Sequence, residues 1–156
     1  MSKYIFFWGG PCSQWVEAPI TINGMQFNTC EQWMMWNKAK MFGDTAAMNE
    51  IMSTRDPAEQ KRIGRRVKNF DDAAWMTKAF DIVVEGNRAK FTQHQDLNTY
   101  LMETKGKEIV EASPYDTRWG IGMAASDPGI EDPSNWKGDN LLGKAIMQVR
   151  KELFGF

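Results

Sequence analysis

The chain has 156 residues, 42% of them hydrophobic and 25% charged, and its formal net charge is -1. This size and composition are typical of a single globular domain, and the near-neutral charge argues against a broad basic surface for nucleic acid or anionic membranes. No apolar run is long enough to cross a membrane, and the start lacks a signal-peptide pattern, so we expect a cytoplasmic protein.

The few cysteines and the single histidine restrict the kinds of site that the chain can build. Cys12 and Cys30 are too few for a disulfide framework and lack zinc-site spacing, so we expect both to be reduced. His94 lies in a polar run that we interpret as an exposed helix end. A Ser-His-Asp triad or a multi-histidine metal site is therefore nearly excluded. Any acid-base chemistry must come from carboxylates, lysine or tyrosine.

Short strands are predicted near the start of the chain. The aromatic run at 4–8 reads Tyr-Ile-Phe-Phe-Trp and is followed by Gly-Gly-Pro, which predicts a buried strand that enters a tight loop. Asn23 and Gly24 separate two further apolar runs at 20–22 and 25–27. Both turn residues tolerate positive φ, so this pattern predicts a two-residue hairpin.

Helical periodicity dominates the rest of the chain. Asn28 or Thr29 can cap a first helix that runs to about Phe42, where Gly43 supplies a left-handed stop. Apolar residues at three- and four-residue steps predict five more helices: 44–53, 56 to about 67, Asp71 or Asp72 to near 91 as the longest, 96–103, and a last one from Asn140. Strands are predicted at 108–112 and 119–123. The expected class is α+β, predominantly α-helical, with a few short strands.

One face of the first helix mixes charge with bulk. Glu31, Met35, Lys38 and Phe42 are spaced so that they share it. Glu31 and Lys38 are separated by about 10 Å along the axis, so they would not form a local ion pair but could both address one ligand. Two structural alternatives remain open: Glu31 as a capping-box partner of Asn28, and Lys38 as a solvated helix lysine.

Two loops and one basic cluster are further candidates for function. The segment 111–122 combines a carboxylate, a phenol, a guanidinium and an indole, although Asp116 could equally be a turn residue and Trp119 a core residue. The long polar loop at 126–140 ends at Asn140, where a helix N-terminus is a natural place for a phosphate. The basic cluster at 61–68 is either a solvated helix face or a phosphate contact.

Six segments together point to one family: FFWGGPCSQW, EQWMMWNKAKMFGD, DPAEQKRIGRRVKNF, GNRAKF, ASPYDTRWGIG and NWKGDNLLG. Their order and coverage of nearly the whole chain resemble the NADAR, or YbiA-like, family. Within the first-helix motif Glu31 and Lys38 are kept, whereas Trp33 stands for a tyrosine, Trp36 for a small residue and Asn37 for a glutamine. The resemblance implies one YbiA-like domain over 1–156.

The resemblance implies an N-glycosidase that hydrolyses the ribose C1′–N bond of phosphorylated ribosyl compounds. Expected substrates are ADP-ribosyl derivatives, such as ADP-ribosylated guanine in nucleic acid, or phosphoribosylamino-pyrimidine intermediates of the riboflavin pathway. The partner is thus a ribosyl phosphate or ADP-ribose, free or attached to nucleic acid. No cofactor, metal or membrane is expected, and the oligomeric state stays open.

The resemblance also suggests residues for this chemistry. Glu31, Lys38 and Asp116 are the expected catalytic residues, with Glu31 as the principal carboxylate and Lys38 as an amine that could form a Schiff base with the opened ribose. Asp116 is expected to bind ribose or act as a second carboxylate. Trp75 could stack on a base or on the ribose face, and core packing is an equally good account of it. Candidate substrate-binding residues are Gly9, Gly10, Ser13, Trp15, Trp33, Arg65, Trp75, Trp119, Asn140 and Gly143.

Two other functions compete with catalysis. The first is a binding module that recognises NAD or ADP-ribose without turning it over. The second is a nucleic-acid binder centred on Arg62, Arg65 and Arg66, which the net charge of -1 disfavours. Retention of Glu31 and Lys38 favours the enzyme, because a binder of an anionic ligand gains nothing obvious from a buried carboxylate.

Overall fold

The computed structural model describes residues 2–156 and divides the chain into two compact units. The helical unit spans 14–94, and the strand-and-loop unit combines 2–13 with 95–156. Within the described residues the fold is α+β and mostly helical, as predicted. The helices are α1 Cys30–Met41, α2 Thr45–Met52, α3 Pro57–Gly64, α4 Asp72–Met76, α5 Ala79–Gln93, α6 Gln95–Glu103 and α7 Leu141–Phe154; the strands are β1 Tyr4–Phe7, β2 Ile20–Ile22, β3 Met25–Phe27 and β4 Glu108–Glu111. The expectation of a single domain stays a prediction.

The hairpin predicted in the helical unit is confirmed. Strands β2 and β3 pair antiparallel, with Ile20 opposite Phe27 and Ile22 opposite Met25. The turn residues Asn23 and Gly24 have φ values of 52° and 79°, which is the left-handed conformation that such a turn requires. The hairpin places Phe27 in the core beside α1.

Helix α1 lies at the centre of the helical unit and packs against α2, α3 and α5. Two glycines allow its neighbours to approach closely. A Cβ atom at Gly64 would lie 2.1 Å from Sδ of Met35, and one at Gly86 would lie 2.5 Å from Cδ1 of Trp33. Both side chains are buried, so a larger residue at either glycine would require the facing side chain to change its rotamer or the helices to move apart.

The long helix predicted from Asp71 or Asp72 to near 91 is wrong as a single element. It breaks after Met76 into α4 and α5, which begins at Ala79. At the break the backbone N–H and the hydroxyl of Thr77 both bond to the carbonyl of Ala74, at 3.2 and 2.6 Å. The apolar spacing continues across the break because Trp75 of α4 and Ala79 and Val83 of α5 are all buried.

Strands β1 and β4 of the strand-and-loop unit pair in parallel, with Tyr4 opposite Glu108. Helix α7 packs on β4 through Gly143, where a Cβ atom would lie 2.1 Å from the carbonyl oxygen of Ile109. The strand predicted at 119–123 is wrong. That segment is a loop, in which Ile121 donates to Glu111 O at 3.1 Å and accepts from the Lys137 N–H at 2.8 Å.

The expectations for the cysteines and the histidine have mixed outcomes. Cys12 and Cys30 are both reduced, as expected, and both are buried. His94 follows α5 but is half-buried rather than exposed, because its Nε2 lies 2.6 Å from the carbonyl oxygen of Pro19. Between Ser2 and Phe156, none of the helices combines the length and the apolar character needed to span a bilayer.

Candidate active site

The first turn of α1 shows which residue caps the helix. The hydroxyl of Thr29 accepts a hydrogen bond from the Gln32 N–H at 3.0 Å, and Oε1 of Gln32 accepts from the Asn28 N–H at 2.7 Å. Gln32 thus takes the reciprocal role that the capping-box alternative gave to Glu31. That alternative is wrong, and the Glu31 carboxylate needs another explanation.

A buried network of side-chain amides holds the first turn of α1 in place. Gln60 is fully buried, accepts from the Thr29 hydroxyl at 2.7 Å and donates to Oδ1 of Asn28 at 2.8 Å and to the carbonyl of Thr54 at 2.9 Å. Gln32 also donates to the Thr54 carbonyl, at 3.2 Å. Buried polar groups satisfied in this way hold one geometry, so the direction in which Glu31 leaves the helix is well defined.

Glu31 itself lies in a polar but water-poor setting. Its side chain is only 7% exposed, and its backbone N–H donates to the Gln14 carbonyl at 3.1 Å. The Gln14 side chain is held by reciprocal amide bonds to Asn87, at 2.9 and 3.0 Å. Nε1 of Trp15 donates to Oε1 of Glu31 at 3.4 Å. A carboxylate held in this way can act on a reacting centre without first reorganising water.

Trp15 provides an exposed aromatic surface beside this carboxylate. Its side chain is 45% exposed although the indole N–H is engaged by Glu31. The ammonium of Lys61 lies 5.9 Å from the ring centroid. Trp15 therefore combines an open stacking surface with a nearby positive charge, which suits a planar, phosphorylated ligand.

Lys38 lies two turns after Glu31 and is half-buried. Burial lowers the pKa of its ammonium below the ordinary value, and the positive charge of Arg65 acts in the same direction. The carboxylates of Glu31 and Asp72 oppose this shift and raise the pKa, but burial is the largest cause. Glu31 and Lys38 thus act on each other electrostatically although they are too far apart along the helix for a local ion pair.

Two arginines of the basic cluster at 61–68 lie near carboxylates, and a third lies near Lys38. Arg62 forms an ion pair with Glu59, and NH2 of Arg66 lies 3.9 Å from a carboxylate oxygen of Glu50. Arg65 is exposed directly after α3 and is close enough to influence Lys38. Within this cluster Arg65 is therefore the best placed to meet an anionic part of a ligand bound at Lys38.

Two of the predicted substrate-binding tryptophans lie in the core. Trp33 is 4% exposed, donates from Nε1 to the Ile82 carbonyl at 2.8 Å, and packs edge-on against Phe27 and in a stack with Trp36. Trp75 in α4 is 3% exposed. Burial accounts for both residues through packing, whereas Trp15 is the exposed tryptophan of the helical unit.

In the strand-and-loop unit, Asp116 organises its own loop. Its Oδ1 accepts from the Arg118 N–H at 2.9 Å and from the Trp119 N–H at 2.8 Å. This is the local pattern of an aspartate in a turn, which was the structural alternative for this residue. Trp119 is half-buried beside it.

Asn140 is also engaged within the protein. It is 3% exposed, its Oδ1 accepts from the Glu111 N–H at 2.9 Å, and its Nδ2 donates to the Ile109 carbonyl at 3.0 Å. The next two N–H groups, at the start of α7, donate to the carbonyls of Arg118 and Trp119 at 3.2 and 3.1 Å. These bonds occupy the amides that a phosphate would need, which counts against the phosphate site predicted there.

The remaining candidates lie in the first loop. Gly9 and Gly10 are exposed, and Gly10 has a φ of 75°, which favours glycine at this turn. Ser13 is half-buried and its N–H donates to the Gly10 carbonyl at 3.0 Å. Nothing in these contacts tests a role in substrate binding, so that role stays a prediction.

Sequence reasoning missed several residues around Lys38. Asp72 and Phe70 are near it because the segment after α3 folds back towards α1, and Phe70 places its ring 4.4 Å from Nζ of Lys38. No local spacing connects residues that lie more than 30 positions apart. The only available signal was the motif ending in Val-Lys-Asn-Phe, which marked the segment but not its partner.

The chain is similar in sequence and in fold to known proteins. A family model described as the NADAR domain matches residues 6–154. The chain is 44% identical to the N-glycosidase R617 of Acanthamoeba polyphaga mimivirus, with 96% of each chain covered, and 33% identical to the chloroplastic riboflavin biosynthesis protein PYRR of Zea mays, over 69% of this chain and 16% of that one. The NMR structure of the E. coli protein YbiA superposes with a TM-score of 0.78 at 27% identity, covering 98% of this chain and 86% of that one.

Proposed function

We propose that this chain, which belongs to the NADAR domain family and is an N-glycosidase, hydrolyses the bond between ribose C1′ and nitrogen in phosphorylated ribosyl compounds. The observation that carries the proposal is the face of α1. There the buried carboxylate of Glu31 acts electrostatically on the pKa of the half-buried Lys38 amine, and the exposed ring of Trp15 lies beside the carboxylate. The preferred substrate is an ADP-ribosyl derivative such as ADP-ribosylated guanine in nucleic acid.

Glu31 supplies the carboxylate that this reaction needs. Cleavage of a C1′–N bond develops positive charge on the sugar, and a carboxylate with little access to water stabilises such charge strongly. The same carboxylate can accept a proton from the attacking water. The hydrogen bond from Trp15 to Oε1 and the amide network behind the helix keep it in one orientation.

Lys38 supplies the nucleophile. When the ribose ring opens, C1′ is bonded to the departing nitrogen as an iminium carbon, and the Lys38 amine adds to it. The departing nitrogen leaves with its bonding electrons and a proton, and water then hydrolyses the lysine Schiff base to release the sugar aldehyde. Burial of Lys38 favours this route, because a lowered pKa increases the fraction of free amine near neutral pH.

Substrate binding is divided among several surrounding residues. Trp15 offers its ring to the sugar or base, and Arg65 and Lys61 provide positive charge for phosphate groups. Asp116 and Asn140 bond to backbone groups within their own unit, and the predicted roles of Asp116, Asn140 and Gly143 toward the substrate stay predictions. The roles of Gly9, Gly10, Ser13 and Trp119 in binding stay predictions, as does the cytoplasmic location.

A second substrate deserves a parallel test. One relative carries the name of a riboflavin biosynthesis protein, which favours a phosphoribosylamino-pyrimidine as the alternative compound. Its C1′–N bond and its single phosphate make the same demands on Glu31 and Arg65. The two candidates differ in the leaving group and in the number of phosphates.

Mass spectrometry of reaction products tests the proposal. The purified protein, without added metal, is incubated with ADP-ribosylated guanine in DNA and with the phosphoribosylamino-pyrimidine, alongside Glu31→Gln and the control Glu50→Gln on the exposed surface of α2. We expect wild type and Glu50→Gln, but not Glu31→Gln, to release ADP-ribose or ribose 5-phosphate. Full turnover by Glu31→Gln would overturn the role of Glu31. No turnover combined with ADP-ribose binding would indicate the non-catalytic module.

The lysine step has its own test. Borohydride added during turnover should reduce the Schiff base and leave a sugar adduct on Lys38, and Lys38→Met should lose both adduct and activity. Because the free amine reacts, the rate should rise as the pH increases through the pKa of Lys38, which lies below that of an ordinary lysine. A fully active Lys38→Met protein, or wild type that yields no adduct, would exclude the Schiff base.

A further inference from the structure

The ring of Phe70 lies against the ammonium group of Lys38. Nζ is 4.4 Å from the ring centroid, which is well within the range of a cation-π contact. Phe70 is 40% exposed, so burial alone does not account for an aromatic residue here. It follows Asn69, whose φ of 61° turns the backbone into the left-handed region just before the ring.

The position of this ring is determined from two sides. Phe42, which follows the last turn of α1, meets Phe70 edge-on with 5.4 Å between ring centroids. Asp44 anchors the backbone of the same segment, because its Oδ2 accepts from the Lys68 N–H at 2.9 Å while its Oδ1 accepts from the Ala47 N–H at 3.1 Å. These contacts therefore hold the Phe70 ring within cation-π distance of the Lys38 ammonium.

We propose that Phe70 is the positioning residue for Lys38: its ring face holds the side-chain nitrogen as a cation over the reaction site and sets the pH range in which the amine becomes available. This inference rests on the proposed function for its catalytic consequence but not for its effect on Lys38. The other charged groups that act on this nitrogen are Glu31 of the same helix, Asp72 of α4 and Arg65 after α3.

The direction of the effect follows from the ring's charge distribution. The negative face of an aromatic ring stabilises an ammonium more than a neutral amine, so Phe70 raises the pKa of Lys38 and acts with the two carboxylates against burial and Arg65. A protonated Schiff base carries its positive charge on the same nitrogen. The ring is therefore suited to hold that nitrogen both before and after it bonds to the sugar.

Competitive labelling tests this effect without using activity. Acetic anhydride labelling of Lys38, measured by peptide mass spectrometry across a pH series against the exposed Lys144, reports the pKa of Lys38. We expect Phe70→Leu, which keeps apolar bulk but removes the ring, to lower that pKa by about half a unit. Phe70→Tyr, which keeps the ring, should leave it close to wild type. An unchanged or raised pKa in Phe70→Leu would overturn the proposal, because a ring that only excludes water predicts that result.

Steady-state kinetics provides the second readout. Phe70→Leu should lower kcat on the plateau above the pKa of Lys38 by about two- to fivefold, because the ring no longer positions the nitrogen, with little change in KM. The acid limb of its pH-rate profile should move to lower pH by the same amount as the labelling pKa. Phe70→Tyr should restore both. If Lys38→Met is fully active, the proposed lysine chemistry fails, while the labelling result still decides the role of Phe70. Equal melting temperatures of the variants exclude misfolding as the cause.

Discussion

The two units of the molecule use their polar side chains in opposite ways. In the helical unit, Glu31 and Lys38 project from one helix face, and other groups hold that helix in place for them. In the strand-and-loop unit, the side chains of Asp116 and Asn140 bond to backbone groups of their own unit. In the proposed function the first arrangement serves chemistry, whereas the second ties a loop and the start of α7 to their own unit.

The glycines follow the same division. Gly64 and Gly86 of the helical unit approach the side chains of Met35 and Trp33, whereas Gly138 and Gly143 of the other unit approach backbone carbonyls. A side chain can adjust its rotamer, but a hydrogen-bonded carbonyl moves only with its strand or loop. We therefore expect added bulk at these glycines to reduce stability more in the strand-and-loop unit than in the helical unit. Changes of charge should affect activity more in the helical unit.

The sharpest test of this division compares Glu31→Gln with Asp116→Asn. Glu31→Gln should reduce kcat by a factor of about 100 or more while leaving the melting temperature close to wild type, because it removes a charge that acts on the sugar. Asp116→Asn keeps an acceptor oxygen for the turn and should retain most activity. A loss of activity in Asp116→Asn as large as in Glu31→Gln would break the comparison and restore Asp116 as a catalytic carboxylate.

Gly143→Ala tests the packing of α7. The new Cβ would lie 2.1 Å from the Ile109 carbonyl and 2.5 Å from the Asn140 side chain, so the variant should lose about 3 kcal/mol of unfolding free energy in urea titration. Gly9→Ala is the control, because a Cβ there meets nothing within 4 Å. Equal stability of the two variants would contradict the close approach of α7 to β4.

Asn87→Leu tests whether Asn87 of α5 helps to hold Glu31 in place through Gln14. The substitution removes the reciprocal amide bonds to Gln14, whose carbonyl receives the Glu31 N–H, and should cost about 2 kcal/mol of stability. A double-mutant cycle with Gln14→Leu should show that the two losses are not additive. Additive losses would mean that the pair does not act as one unit.

The smallest expected effect concerns the turn at Asp116. Asp116→Ala removes the acceptor for the Arg118 and Trp119 N–H groups and should lower the unfolding free energy by about 1 kcal/mol. Thermal and urea unfolding measure this loss directly. Wild-type stability in Asp116→Ala would show that the turn forms without the carboxylate.

Local sequence patterns predicted much of the architecture correctly. The hairpin with Asn23 and Gly24, the first helix with Thr29 as its cap, and the strand at 108–112 all follow from turn chemistry, capping and alternation, which act over a few residues. The family resemblance was confirmed by the NADAR match and by the similar fold of YbiA.

The errors occurred where distant contacts compete with local preference. The apolar spacing in 71–91 suits one continuous helix, but the chain breaks at Thr77 into two shorter helices, each of which contributes buried residues. The segment 119–123 has the composition of a strand, yet its backbone is bound by Glu111 and Lys137 as a loop. For the proposed site, periodicity placed Glu31 and Lys38 on one face but could not decide whether Glu31 takes part in capping the helix.

The sequence by itself determined the helix that carries the proposed site, the spacing of Glu31 and Lys38 on it, and the family to which the chain belongs, because each is encoded in residues close together or in the order of motifs along the chain. Tertiary structure alone decided that Trp33 is buried while Trp15 is open, and that Phe70 lies against Lys38. These outcomes depend on which distant surfaces meet, and burial and charge at a side chain are defined only after they do.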